Sequence, residues 1–197
     1  MTIIMPSCPP IKEGVPRYVF YGTSQKPTLG GPESRIQRLG DRWGIDIQTY
    51  PALYAEHGMA YLSRLVRGLK NVVRVPFPEP GVSQTGFGAP VVSQAGSAGQ
   101  VLPVGGLIPG VTIREGKFFN VVIGGRYYLH QVAETVVAGQ DGSAVLLIEP
   151  MLRRQPPQGS ALDFVPKIEG FVQGNEQSWQ ISRSKYLPFN YSIVEPD

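Results

Sequence analysis

The stretch PMLRRQPPQG, residues 150–159, sets two adjacent arginines, Arg153 and Arg154, between a strand-like run and a stiff Pro-Pro corner. Paired guanidinium groups suit three chemistries: clamping an anion, contacting a nucleic-acid backbone, or bracketing two parts of a fold by bidentate pairing with carboxylates. An anion clamp usually borrows a helix N-terminus or a glycine nest, and neither flanks this segment. The residues favour the bracket, within the chain or between subunits. Trp43 and Trp179 join Arg153 and Arg154 as candidate interface or bracket residues.

The acids, bases and nucleophiles that could do chemistry are Asp41 with Asp46, Glu56 with His57, Asp163 with Glu169, His130 and Cys8. None has the spacing of a known catalytic or metal-binding motif: GxSxG, HExxH and DxDxDG patterns are all missing. Cys8 lies in a Pro-rich stretch, a poor place for a rigid nucleophile. A single cysteine and two histidines give too few ligands for a cysteine-rich or histidine-rich metal site. The expectation is a protein that is not an enzyme and has no catalytic, cofactor-binding or metal-binding residues.

The elements that would hold these residues are mostly strands. Residues 1–33 carry six prolines and read as an extended N-terminal arm, with RYVFY (17–21) its one strand-like stretch. RIQRLGDRWGIDIQTY (35–50) alternates as one strand, or as a hairpin ending in a long strand, with Gly40-Asp41 supplying a turn or bulge. After Pro51 the spacing of Ala55, Met59, Leu62, Val66 and Leu69 predicts one amphipathic helix, with those residues as its buried face. Three strands follow further on: FFNVVI, RYYLHQV across a Gly124-Gly125 turn, and SAVLLIE after the Asp141-Gly142 reversal. Toward the end, FVPKIEGFV, SWQISRS and PFNYSIVEP read as strands, with Trp179, Ile181, Phe189, Tyr191 and Ile193 alternating.

The predicted fold class is therefore mainly β (α+β). A β-sheet domain with one helix, split between 34–75 and 164–197, carries an inserted Gly/Pro-rich β-module, barrel-like or sandwich-like, at 76–163. In such a split the two ends of the chain share one sheet.

Composition narrows the class. Gly 24 and Pro 19 make the chain turn-rich, while 42% hydrophobic residues suffice for a core. Only 17% of residues are charged, which fits a surface partly covered by partners. Net charge is +3, but the basic residues are scattered; Arg35, Arg38, Arg42, Arg64, Arg67 and Lys70 read as solvated faces. Nucleic-acid binding is not expected. The start, MTIIMPSCPP, has no basic region followed by a signal-peptide apolar core, and no run is long enough for a membrane-spanning helix. These features predict a soluble protein made in a reducing cytoplasm.

The order LIPGVTIREGKFFNVVIGGRYYLHQV, then AGQDGSAVLLIEPMLRRQPPQGSAL, with a closing SW and IVE, resembles tail proteins of long-tailed phages and gene transfer agents. The residues carrying the resemblance are Gly116, Gly125, Tyr128, Val132, Asp141, Gly142, Pro150, Leu152, Arg153, Pro156, Gly159, Trp179 and Glu195. Upstream, RWGIDIQTYPALYAEHGMAYLSRLVRGLKN resembles the strand-then-helix segment of the same proteins. Within them the chain resembles the distal tail (Dit-like) adaptors.

That resemblance implies a virion protein of the tail tip, synthesised in the host cytoplasm. It implies a homo-oligomeric ring, usually a hexamer, joining a tail tube protein to a tail-tip hub protein, with no membrane partner. Alternatives are another virion ring protein (tail tube, tail terminator or head-tail connector), a hydrolase using Asp163 or Glu169, or a carbohydrate-binding β-module. In that last reading Tyr127, Tyr128, Trp179 and Tyr186 would stack on sugars.

Overall fold

The computed structural model describes residues 2–36, 39–174, 176–179 and 185–196. The first half holds β1 (Ile3–Ile4), β2 (Ile11–Val19), β3 (Thr23–Gln25), β4 (Ser34–Ile36), β5 (Arg42–Thr49), β6 (Ala52–Leu53), helix α1 (Met59–Gly68) and β7 (Val73–Pro76). Then come β8 (Gly88–Val92), β9 (Gly99–Leu107), β10 (Thr112–Ile113), β11 (Phe118–Ile123), β12 (Arg126–Val132), β13 (Val136–Val137) and β14 (Ala144–Leu152). The chain closes with β15 (Leu162–Asp163), β16 (Lys167–Val172), β17 (Tyr186–Leu187) and β18 (Asn190–Val194). The fold is mainly β, with one α-helix among the described residues.

Two six-stranded sheets carry the structure. The first has the order β1-β7-β16-β18-β5-β2 and draws on both ends of the chain. Its strands alternate apolar-in and polar-out, so Ile45, Ile47, Ile168, Tyr191 and Ile193 share one buried layer beneath α1. The second sheet, β15-β11-β12-β14-β9-β8, comes entirely from 88–163. A bridge between Val91 and Ala161 ties β8 to the segment entering β15, so this sheet closes on itself. Closure leaves Phe119, Val121, Leu102, Val104, Leu146 and Ile148 facing one enclosed core.

Residues 11–19, which the sequence places in an extended arm, form a nine-residue strand paired with β5 from Ile11 to Val19. The strand begins earlier than RYVFY suggests, because Lys12, Glu13 and Arg17 face solvent and hide the pairing. Pro16 within β2 lacks an N–H, which an edge strand tolerates. Beyond β2 the chain projects as the β3–β4 hairpin.

The predicted helix face needs correction. Met59 and Val66 are 54% and 43% exposed, Ala55 is exposed, and Leu62 and Leu69 are half-buried. The buried face is Tyr61, Leu65 and Gly68. Its spacing of 4 and 3 is helical, but a tyrosine and a glycine do not register as an apolar stripe. A Cβ on Gly68 would sit 2.7 Å from Val73 Cγ1 and 2.8 Å from Val172 Cγ2, so the missing side chain lets the helix lie close on the sheet. Tyr61 stacks on Phe189 and its hydroxyl meets that of Tyr191. The helix also starts later than Pro51 suggests: β6 pairs with β17, and a wide turn over Tyr54–Gly58 leads into α1.

Residues 76–110, expected as turns between short strands, contain the nine-residue β9. Pro103, Gly105 and Gly106 mask it in the sequence. Gly106 is a requirement of the fold: at φ +78° its Cβ would lie 2.6 Å from the Ala89 carbonyl oxygen. Ile181, read as part of an alternating strand, lies outside the described residues.

Candidate functional site

The two sheets meet along a seam built from buried carboxylates. β14 pairs with β12 only at Gln131 and Val132, so the N–H groups earlier on β12 have no ladder partner on that side. Side chains of the first sheet replace the missing strand. Glu169 of β16 accepts the Tyr127 N–H at 2.6 Å, and Glu195, just past β18, accepts the Leu129 N–H at 2.9 Å. Glu79, in the loop after β7, accepts the Phe118 N–H of β11 at 2.9 Å. Buried backbone donors must be satisfied somewhere, and here three glutamates satisfy them across the seam.

Each glutamate also has its own cation on the other oxygen. Arg74 donates to Glu169 Oε1 at 2.9 Å, Lys117 pairs with Glu79, and Arg153 Nη2 donates to Glu195 Oε2 at 2.7 Å. A fourth link is the Asn120 side chain, which exchanges two hydrogen bonds with the Lys167 backbone, at 2.6 and 2.7 Å. Arg74 stacks over Tyr127 at 3.9 Å, and Arg153 lies over Tyr128 at 5.5 Å. Tyr127 and Tyr128, considered from sequence as sugar platforms, are committed to these arginines.

Glu195 is the most constrained of the three. It is 2% exposed, and its Oε2 also accepts the Trp43 N–H at 3.2 Å. Burial pushes its pKa above the ordinary carboxylate range, against the downward pull of Arg153, the two backbone N–H groups and Arg42. Arg153 completes the clasp by donating Nη1 to the Pro196 carbonyl at 2.8 Å. The crevice around Arg153, Tyr128, Glu169 and Glu195 has a volume of only about 10 Å³. That is about the minimum for one water and leaves no room for a phosphate or a substrate.

Of the residues singled out in the sequence, the seam brings together Arg153 and Trp43. Trp43 is 8% exposed and packs edge-on between Tyr18 and Phe118, with centroids at 5.1 and 5.0 Å. Arg154 is exposed and has no ion pair or hydrogen bond among the described residues. Trp179 is 40% exposed and belongs to neither core.

The candidate acid–base pairs are spread among structural contacts. Asp46 pairs with Arg17 at 2.9 Å, Asp163 with Lys167, and Glu169 with Arg74, while Glu56 and His57 sit exposed at 4.0 Å. His130 is fully buried with Nδ1 bonded to the Pro150 carbonyl at 2.8 Å, and burial pushes its pKa down to about 4. Among the described residues no group of three or more His, Cys, Asp and Glu side chains could hold a metal ion.

Sequence reasoning missed Glu79, Arg74, Lys117 and Asn120. The one available signal was their placement: Lys117 and Asn120 interrupt or abut the apolar run FFNVVI in a chain poor in charge. No protein-family model matches the chain, and no curated protein matches it.

Proposed function

We propose that the chain is a structural virion protein of the distal-tail (Dit-like) kind, a subunit of a homo-oligomeric ring between the tail tube and the tail-tip hub of a long-tailed phage. The reading joins the motif resemblance to one structural observation, which carries it. From Val15 to Leu39 the chain displays Val15, Tyr18, Phe20, Tyr21, Leu29, Ile36 and Leu39 at 39–99% exposure, on an edge strand and a projecting hairpin. Single exposed apolar residues are ordinary, but so many of them within one segment mark a part of the chain that another molecule covers. A closed ring offers such cover, because each subunit presents one flank to the next.

The seam fits the same role. A ring subunit under mechanical load needs its two sheets held as one body, and the glutamate clasps tie them with charge-assisted bonds shielded from water. The test is negative-stain imaging of the purified chain beside a Leu29→Asp variant. Leu29 is 99% exposed, so the substitution spares the fold. Rings in the wild type and free subunits in the variant support the reading. Free subunits in both, at every concentration, argue against it.

A further inference from the structure

The apolar helical stripe marked by the sequence has no partner in the fold. Met59, Leu62, Val66 and Leu69 recur along α1 and its C-cap at spacings of 3, 4 and 3, the repeat of a helix that packs on another helix. The first sheet takes the neighbouring face instead, through Tyr61, Leu65 and Gly68. Met59 and Val66 are left 54% and 43% exposed, with Leu62 and Leu69 half-buried at the edge of the core. Among the described residues α1 is the one α-helix, so none of them supplies a second helix to lie on the stripe.

The polar residues along the stripe show what fits it. Ser63 lies four residues after Met59 and three before Val66, and Lys70 lies four after Val66, so both border the stripe. Glu56, in the wide turn that leads into the helix, stands three residues before Met59. Glu56 and Lys70 are both exposed, and each is seven residues from Ser63. Apart from the contact of Glu56 with its neighbour His57 at 4.0 Å, neither has an ion-pair partner among the described residues.

A second copy of the chain answers that pattern from itself. Two α1 helices laid antiparallel about a two-fold axis at Ser63 set Met59 of each beside Val66 of the other, and Glu56 of each toward Lys70 of the other. A parallel pair would oppose Glu56 to Glu56 and Lys70 to Lys70. An anionic lipid surface would draw Lys70 and repel Glu56. An unrelated helix would have to carry the same two charges in reverse order. We propose that α1 is a self-association surface on which the α1 of a second copy packs antiparallel. Met59 and Val66 form the apolar contact, and two Glu56–Lys70 pairs fix its direction. This contact lies on a different element from the 15–39 segment assigned to the ring and does not rest on that reading.

The test uses the full chain with Cys8→Ser, which removes the native thiol, and Leu29→Asp, which removes the side chain on which ring assembly is tested. Sedimentation equilibrium over a wide concentration range should show monomers and dimers in exchange. Val66→Asp should weaken the dimer at least about tenfold, and because Val66 is exposed the substitution spares the fold. Glu56→Lys should weaken it several-fold, and adding Lys70→Glu should restore it, since the pairs then form in the reverse sense. Ser63→Cys, on the axis, should give a disulfide-linked dimer on oxidation with diamide. Gln140→Cys, in an exposed turn of the second sheet, should not. Monomers at every concentration overturn the proposal; if those monomers bind phosphatidylglycerol vesicles through Val66, the face belongs to a lipid surface. A dimer that Val66→Asp leaves intact, or a charge-reversed double variant no tighter than Glu56→Lys alone, also overturns it. Ring assembly is read by imaging with Leu29 in place, so either reading can fail alone.

Discussion

Replacing Arg153 with alanine removes the cation from a glutamate that stays buried. Of the three hydrogen bonds to the Glu195 carboxylate, those from the Leu129 and Trp43 N–H groups persist, while the Arg153 contact at 2.7 Å disappears. A buried ion pair that loses one partner costs about 3 to 5 kcal/mol, against about 0 to 1 kcal/mol for an exposed pair. The Glu195 side chain is 1% exposed and that of Arg153 7%, which places this pair in the first class.

The loss should depend on pH with a definite sign. Burial already lifts the Glu195 pKa above its ordinary value, so between those two values the folded state holds a proton that the unfolded state has released. The Glu195 contribution to stability therefore falls as pH rises through that window. Without Arg153 the pKa climbs further and the window widens upward. Urea unfolding of wild type and Arg153→Ala at about pH 8 and about pH 5.5 should show the larger difference at the higher pH. A second pair of chains carrying Glu195→Gln supplies the double-mutant cycle, and the Arg153 effect should shrink in that background. A loss below about 1 kcal/mol at the higher pH, or an effect of Arg153→Ala that is unchanged by Glu195→Gln, would refute the clasp.

The corrected helix face is tested by Leu65→Ala, which should cost about 2 to 5 kcal/mol, whereas Val66→Ala should stay within about 0.5 kcal/mol in the same urea assay. Gly68→Ala should destabilise by about 1 to 3 kcal/mol through overpacking against Val73 and Val172, read as a lower denaturation midpoint with an unchanged slope. His130, held near pKa 4 against an ordinary 6.5, binds fewer protons folded than unfolded. Stability should rise as pH climbs through that interval, by about 3 kcal/mol in full, and His130→Gln should flatten the rise in a melting series across the same range.

The parts of the fold legible in the sequence were those written in local pattern. Gly124-Gly125 between two apolar runs gives the β11–β12 hairpin, with Ile123 opposite Arg126, because turn chemistry and period-two alternation are both local. Asp141-Gly142 marks the reversal before β14 for the same reason. The helix face was illegible because close packing used Gly68, a residue hydropathy does not count. β9 was illegible because glycines that permit close approach between strands look like loop.

Most of the seam could not be read at all. Glu195 reaches Leu129 across 66 residues and Trp43 across 152, and what it binds there is backbone, which leaves no trace in side-chain pattern. Arg153 was visible as an arginine fixed beside a rigid corner. Its partner Glu195 was visible only as a motif position near the end of the chain.

Light scattering on the full-length chain over a wide concentration range tests the proposed role most directly. A closed ring gives one mass, a fixed integer multiple of the 21.5 kDa subunit, which stays constant once assembly is complete. That is the expected result. A mass equal to one subunit at every concentration, or a mass that grows without limit as an open filament would, contradicts the ring.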